Sequence, residues 1–257
     1  MLTRSEIERF TSEGYVRIYR AFPGEVARQC RELLWQATGC NPNDRATWTR
    51  PVVRIGEMAM KPFADAANSR VLHEAFDQLV GDGNWIPRQS LGSFPIRFPS
   101  PGEANDTGWH VDSSFPGDDP LNYMDWRINV FSKGRGLLML FLFSDVEDND
   151  APTRIRVGSH LDVTRLLAPY GHAGLSFMEV GQALDSLPQR GEVLATGSAG
   201  TVFLCHPFLA HAAQDHCGTS PKFMAQPPLV IRHEFSVPAS ASPCAVEAAI
   251  NVALKQS

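Results

Sequence analysis

Hydrophobic positions in the first third of the chain recur with the period of a helix. A Thr3-x-x-Glu6 capping box and Gly14 bracket the first predicted helix, because they match the start and stop signals of helices. Apolar stripes at about 25–37 and 71–80 predict two further helices. The N-terminal part of the chain is therefore expected to be mostly helical.

From residue 85 onward, short alternating or wholly apolar runs separated by glycine and proline predict about eight strands. The predicted strands are 88–98, 126–132, 136–146, 153–157, 199–205, 222–226 and 229–237, after an early one at 15–19. Segments 126–132 and 136–146 are expected to form a hairpin, and the polar, proline-broken residues 40–60 a loop or lid. Helices followed by strands predict an α+β fold with a β-barrel or sandwich core.

We expect one domain over 1–257, in which residues 1–84 are mostly helical support, 85–237 the β core and 238–257 a C-terminal tail or helix. Hydrophobic residues make up 43% of the chain, which is enough for a large core.

Charge and cysteine content narrow the class of protein. The net charge of -5 gives no electrostatic case for nucleic acid or an anionic membrane as partner. The longest apolar run, 136–143, has the length of a strand rather than a membrane span. The first ten residues lack the apolar region of a signal peptide. Five cysteines without paired spacing argue against a disulfide scaffold, so we expect a cytoplasmic protein.

Two His-x-Asp pairs are the first candidates for chemistry. Two residues that are two positions apart on a strand project to the same side, so both could reach one metal ion. Iron(II) oxygenases use two histidines and one carboxylate and leave three metal positions open. His110 and Asp112 precede several predicted strands, whereas His160 and Asp162 follow a glycine and a serine that indicate a turn or helix start. This order favours His110 and Asp112.

A third ligand is expected from segment 201–218, which offers three histidines. In one continuous strand His206 and His211 would point to opposite faces, so we expect one of them rather than both. His216 lies in a polar turn and is expected to be solvated. His211 lies between Ala210 and Ala212 and has room for a metal, but the pattern alone favours it only slightly over His206.

Taken together, these residues resemble the phytanoyl-CoA dioxygenase (PhyH-like) family of Fe(II)/2-oxoglutarate-dependent oxygenases. The resemblance covers most of the chain and includes "LTRSEIERFTSEGYVRIYRAF", "GWHVD", "APTRIRVGSH" and "GTVFLCHPFLAHAA…GTSPKFMAQPPL". The pattern HP-x-L-x-H in the last block is its most specific part. The resemblance implies a double-stranded β-helix (jelly-roll, cupin-like) core. It also implies Fe(II) held by His110, Asp112 and His211, with His206 in a structural role.

The resemblance also implies 2-oxoglutarate as co-substrate, with O2, and a cation eleven positions after the last ligand. That position holds Lys222, which a hairpin would place beside that ligand; Arg232 and Arg135 are alternatives. The strand before His-x-Asp supplies further candidates for 2-oxoglutarate binding, Ser93 and Arg97. Lysine keeps the charge but lacks the two-pronged geometry of arginine.

The implied activity is hydroxylation of an unactivated C–H bond of a small-molecule metabolite, with release of succinate and CO2. Asp112 favours hydroxylation, because halogenating relatives carry Gly or Ala at this position. Desaturation, cyclisation and epimerisation share the same ligands and stay open. A non-catalytic cupin-like binder and a metal-dependent hydrolase or isomerase are alternatives from other classes. Neither the substrate nor the oligomeric state follows from the sequence.

Residues around the metal motif suggest, but do not fix, the kind of substrate. Arg154 and Arg156 alternate with apolar residues. They are expected to face solvent, or to indicate an anionic substrate if they face the barrel mouth. A further set of aromatic residues is expected either to line a pocket or to pack: Trp109, Phe115, Tyr123 and Trp126.

Overall fold

The computed structural model describes residues 1–100 and 102–255, so Pro101 and the last two residues of the predicted C-terminal segment lie outside the described residues. The helices are α1 (Arg4–Glu13), α2 (Gly24–Thr38), α3 (Lys61–Ala67), α4 (Arg70–Val80), α5 (Ser159–Leu167), α6 (Phe177–Ala183) and α7 (Ala245–Lys255). The strands are β1 (Tyr15–Ile18), β2 (Val52–Ile55), β3 (Phe94–Arg97), β4 (Arg127–Ile128), β5 (Leu137–Leu142), β6 (Arg154–Arg156), β7 (Leu175–Ser176), β8 (Glu192–Leu194), β9 (Val202–Cys205), β10 (His211–Ala212), β11 (Met224–Ala225) and β12 (Pro228–Leu229). Among the described residues, no helix is both long and apolar enough to cross a membrane.

Helix α1 begins and ends where its local sequence predicts. The Thr3 hydroxyl accepts from the Glu6 amide at 3.3 Å, and the Glu6 carboxylate accepts from the Thr3 amide at 2.8 Å. Gly14 ends the helix with φ of 90°, a backbone conformation that favours glycine. A Cβ at this position would also lie 2.5 Å from Nδ1 of His160, so the close packing of α1 on α5 needs this glycine.

The larger sheet is antiparallel and has the order β1-β9-β5-β11, with β12 also paired to β5. All six residues of β5 are buried, because both faces of the sheet are covered. Leu138, Leu140 and Leu142 pack into one apolar cluster, while the alternate residues join the cluster formed with the helices. The N-terminal strand β1 thus completes a sheet whose other strands come from the second half of the chain.

The smaller sheet has the order β10-β6-β8 and packs on one face of the larger sheet. Ile155 of β6 shares an apolar cluster with Leu140 of β5 and Phe203 of β9. His110 pairs with His211 in an isolated bridge at the edge of this sheet. The fold is therefore a mixed helix and sheet structure in which two antiparallel sheets enclose an apolar interior and the edge of one carries the predicted ligands.

Several predicted elements differ from the observed ones. Segment 40–60 is not only a loop, since it contains β2, which pairs with β3. The predicted hairpin of 126–146 is wrong, because β4 pairs with β7 while β5 pairs with β9, β11 and β12. A strand as apolar as β5 is buried by neighbours on both edges, and these come from distant parts of the chain. Of the predicted strand 229–237, only Leu229 lies in an observed strand, β12.

Candidate metal and co-substrate site

Three predicted ligands converge at the edge of the smaller sheet. The possible ligand atoms of His110, Asp112 and His211 all lie within 4.8 Å of one another. Oδ1 of Asp112 lies 3.7 Å from Nε2 of His110 and 3.8 Å from Nε2 of His211. Metal–ligand bonds of about 2.0–2.2 Å place neighbouring ligand atoms about 3 Å apart, so a small contraction would close this group around one ion.

Backbone carbonyls orient both imidazoles in the same way. Nδ1 of His110 donates to the Gly108 carbonyl at 3.0 Å, and Nδ1 of His211 donates to the Leu209 carbonyl at 3.1 Å. In each case the acceptor lies two residues before the histidine. The proton is therefore held on Nδ1 and the Nε2 lone pair is left for a metal, which is the usual arrangement of metal-binding histidines.

The protonation states suit metal binding at neutral pH. Burial above all, and the nearby His110 to a lesser extent, lower the pKa of His211 to about 4, so this imidazole is neutral. Burial alone would raise the pKa of Asp112, but the Arg135 guanidinium above all, with the adjacent histidine rings, outweighs it and holds the pKa well below its usual range. The site thus offers two imidazole nitrogens and one carboxylate as donors.

A cavity of about 470 Å³ opens beside the three ligands. All six residues predicted for the metal and the co-substrate line it: His110, Asp112, His211, Ser93, Arg97 and Lys222. Arg135, Tyr123 and Gln226 also line this cavity. Because a dicarboxylate co-substrate needs both a metal and a separate cation, this shared lining is the arrangement such a molecule requires.

Lys222 is only 1% exposed, and its ammonium donates to the Ala151 carbonyl. Burial above all, and the charge of Arg97 to a lesser extent, lower the pKa of Lys222 to about 7. The expected hairpin between His211 and Lys222 is wrong. Lys222 bridges to Arg97 in the backbone, whereas His211 pairs with His110 and Ile155, so the two residues reach the cavity from different sheets.

Arg97 is buried rather than exposed, and its charge already has a partner. Its Nη2 donates to both carboxylate oxygens of Asp106 at 2.8 Å. Ser93 lines the same cavity, and its carbonyl accepts from the backbone amide of Gln226 at 2.9 Å. Lys222 is therefore the better placed of the two cations for a new anionic partner.

The two alternative arginines serve other contacts. Arg135 donates to Oδ2 of Asp112 at 2.8 Å and to the Ser113 carbonyl at 3.0 Å. Arg232 lies on the surface and donates to the Gly83 carbonyl at 3.2 Å. Neither arginine replaces Lys222 in the structure.

The other two histidines of the 201–218 segment, His206 and His216, are buried and make hydrogen bonds to the backbone. His206 is buried, accepts from the Phe208 amide at 3.2 Å and lies with its ring 4.8 Å from the ring of His160. The expectation that His216 is solvated is wrong, since it is 8% exposed. Its Nε2 donates to the Ser220 carbonyl at 2.8 Å and its Nδ1 accepts from the Gly218 amide at 3.1 Å, because the polar turn folds back on the ring.

Arg154 and Arg156 lie on the outer face of the smaller sheet. His211 pairs with Ile155, so the residues on either side of Ile155 point away from the metal ligands. Both guanidinium groups lie over the ring of Trp109, at 4.9 and 4.3 Å from its centroid. They therefore do not face the cavity, and of the aromatic residues near the motif it is Tyr123 that lines it.

Gln226 is a site residue that the sequence reasoning missed. Its Nε2 lies 3.0 Å from Nε2 of His211 and 3.5 Å from Oδ2 of Asp112. Alternation along the chain could have found it, since Lys222, Met224 and Gln226 all line the cavity.

No family model matches this sequence. No curated protein matches it either. Solved structures of similar fold do exist. SnoK, a non-heme alpha ketoglutarate dependent carbocyclase from nogalamycin biosynthesis, is 15% identical with a TM-score of 0.60, over 95% of this chain and 92% of that one.

Two further structures were crystallised with metal and co-substrate. HygX from Streptomyces hygroscopicus, with nickel and 2-oxoglutarate bound, is 17% identical with a TM-score of 0.57, over 94% of this chain and 93% of that one. The epimerase SnoN, in complex with Fe3+, alpha ketoglutarate and nogalamycin RO, is 17% identical with a TM-score of 0.54, over 86% and 80% of the two chains. The chain thus shares the fold of non-heme iron, 2-oxoglutarate-dependent enzymes and has a His–Asp–His group that could bind metal.

Proposed function

We propose that this protein is an Fe(II)- and 2-oxoglutarate-dependent dioxygenase of the PhyH-like family, built as one domain on a double-stranded β-helix. The observation that carries the proposal is the convergence of His110, Asp112 and His211 on a cavity that also holds the buried Lys222. The fold likeness to SnoK, HygX and SnoN supports it.

The donor set fits ferrous iron. Two imidazoles and one carboxylate on one side of an ion leave three positions open, as in non-heme iron oxygenases. When bound, the iron would couple oxidative decarboxylation of 2-oxoglutarate by O2 to oxidation of the substrate, with release of succinate and CO2. The protein's own part is to hold the ligands, orient both small molecules and supply charge where they bind.

Lys222 would bind the far carboxylate of 2-oxoglutarate. Gln226 lies beside the metal ligands, and Lys222 lies four residues before it on the same face, about 13 Å away along an extended strand. A lysine side chain and a five-carbon diacid together span such a distance. An ammonium has three donors, and Ala151 accepts one of them. Arg97 pairs with Lys222 in the backbone and would support the carboxylate at this end. Ser93 pairs with Gln226 and would contact the co-substrate nearer the metal ligands.

Hydroxylation of a small-molecule metabolite in the cytoplasm is the activity we propose. Asp112 occupies the third ligand position, which leaves no vacancy for a halide. The same site is compatible with cyclisation or epimerisation, and two proteins of similar fold are a carbocyclase and an epimerase. These reactions, and desaturation, are the alternative outcomes of the same chemistry.

Anaerobic absorbance spectroscopy tests the proposal. The wild-type protein should give a visible Fe(II)-to-2-oxoglutarate charge-transfer band, and after admission of O2 it should release succinate. His211→Ala should abolish the band, whereas His206→Ala, the same change of a buried histidine outside the cavity, should keep it. The absence of the band in the folded wild type, or an unchanged band in His211→Ala, would contradict the proposal. A band without succinate from any substrate in a metabolite library would favour a non-catalytic binder.

A further inference from the structure

Arg135 makes the closest polar contact to the carboxylate that the proposed iron would use. Its Nη1 donates to Oδ2 of Asp112 at 2.8 Å, and its Nη2 donates to the Ser113 carbonyl at 3.0 Å. We propose that Arg135 is a positioning residue that makes Asp112 a one-oxygen metal ligand and cancels its charge. This inference rests on the proposed function.

The turn that carries Arg135 holds it in place. Ser132 and Gly134 both have positive φ, at 51° and 81°, and the Ser132 hydroxyl donates to the Arg135 carbonyl at 2.6 Å. A Cβ on Gly134 would lie 3.0 Å from the Ser114 carbonyl, so the turn packs directly against the segment that follows Asp112. Arg135 is 7% exposed, and its position is therefore fixed by the backbone on both sides of the contact.

The contact with Arg135 gives the two carboxylate oxygens of Asp112 different partners. Oδ2 accepts the charged hydrogen bond, while Oδ1 faces Nε2 of both His110 and His211 at 3.7 and 3.8 Å. A second metal bond from Oδ2 would compete with the guanidinium for this oxygen, so the contact favours coordination through Oδ1 alone. One-oxygen coordination keeps three metal positions open, which is the number needed by a keto acid bound through two atoms together with O2.

The contact also sets the charge that the co-substrate meets. Asp112 and Arg135 form a neutral pair in a buried wall of the cavity, where charges interact more strongly than in water. Because Arg135 compensates the charge of Asp112, a bound Fe(II) would keep its full double positive charge toward 2-oxoglutarate, whose keto-acid end would bind there. Loss of Arg135 would leave the carboxylate as a stronger donor, which favours ferric over ferrous iron and weakens the attraction for the dianion.

The test compares Arg135→Gln with Arg135→Lys, and uses Arg156→Gln as the matched loss of an arginine on the outer face of the smaller sheet. The readouts are the anaerobic ferric/ferrous midpoint potential and the dissociation constant of 2-oxoglutarate. Arg135→Gln should raise the ratio of ferric to ferrous affinity at least tenfold, which lowers the midpoint potential by about 59 mV or more. It should also weaken 2-oxoglutarate binding about tenfold. Arg135→Lys keeps the charge and should change that ratio less than threefold. Arg156→Gln should match the wild type.

A folded Arg135→Gln protein with the wild-type potential and 2-oxoglutarate affinity would overturn the inference. If Arg135→Gln does not fold, the absorption spectrum of the Co(II)-loaded Arg135→Lys protein decides, because lysine keeps the charge but lacks the planar fork with which Arg135 contacts Oδ2 of Asp112 and the Ser113 carbonyl. A changed cobalt spectrum supports the inference, and an unchanged one overturns it. Wild-type protein that binds no Fe(II) would instead contradict the proposed function.

Discussion

His110-x-Asp112 and His160-x-Asp162 are the same motif in two different secondary structures. The first pair lies in extended chain, where residues two apart point to the same side. The second lies in α5, where residues two apart are separated by about 200° around the helix axis. His160 accordingly donates from Nε2 to the Thr11 carbonyl at 3.0 Å, on a different side from Asp162. The local backbone decides whether the motif can hold an ion.

The two carboxylates also differ in how many arginine donors they accept. Oδ1 of Asp162 accepts from Arg165 at 2.9 Å and from Arg190 at 2.8 Å, and its Oδ2 accepts from Arg190 at 2.8 Å. Asp112 accepts from the single guanidinium of Arg135, on Oδ2. One arginine leaves an oxygen for a metal, whereas two arginines bond both oxygens and make the carboxylate a structural link.

The largest expected effect separates the two aspartates by metal affinity. Asp112→Ala removes a proposed ligand and should weaken Fe(II) binding at least about a hundredfold, or about 2.8 kcal/mol. Asp162→Ala should leave Fe(II) affinity within about twofold of wild type. Anaerobic competition with a chromophoric chelator measures both. Equal affinities in the two variants would end the distinction between the motifs.

The next effect concerns the cavity, which opens at the first motif. Lys222→Met should weaken 2-oxoglutarate binding about 10- to 100-fold, because a hydrogen bond to a charged group contributes about 1.5–3 kcal/mol. Arg232→Met, the loss of the surface cation that the sequence offered as an alternative, should have no effect. Isothermal titration of the anaerobic Fe(II) protein measures both variants. If Arg232→Met weakened 2-oxoglutarate binding more than Lys222→Met does, Arg232 rather than Lys222 would be the residue that binds the carboxylate.

Stability should respond in the opposite way to metal affinity. Asp162→Ala leaves two guanidinium groups without their shared carboxylate and should cost about 1–3 kcal/mol. For a chain of this size the midpoint of thermal unfolding should fall by about 2–4 °C per kcal/mol. Scanning calorimetry of the metal-free protein gives this value. An unchanged midpoint would mean that the second motif has no structural role.

The smallest effect is a pH dependence that only the cavity should show. The folded pKa of Lys222, about 7, lies below its ordinary value of 10.5. The unfolded chain therefore binds more protons between these values, and this group makes the ligand-free protein more stable as pH rises through that window. Binding of 2-oxoglutarate needs the charged ammonium, so affinity should fall about tenfold from pH 7 to pH 8.5.

Lys222→Arg is the control for this pH dependence, because arginine stays charged throughout the range. Its 2-oxoglutarate affinity should be flat between pH 7 and 8.5 when measured by the same titration. A parallel slope in this variant would mean that a different group controls binding.

Features set by local sequence were predictable, and features set by distant pairing were not. The capping box of α1 and the helix start at His160 depend on neighbouring residues, and both predictions are confirmed. The prediction of a hairpin over 126–146 was wrong because the partners of β5 lie some 60–90 residues further along the chain. The contact between Arg135 and Asp112 could not be predicted from the sequence, because it depends on how the turn at 132–135 packs against the segment after Asp112.

The location of bound iron is the most direct test of the central claim. Crystals of the protein grown or soaked anaerobically with Fe(II) should give one strong anomalous difference peak at the iron absorption edge. The account predicts this peak within bonding distance of Nε2 of His110, Oδ1 of Asp112 and Nε2 of His211. A peak between His160 and Asp162, or full iron occupancy elsewhere with the first three residues unbound, would contradict it.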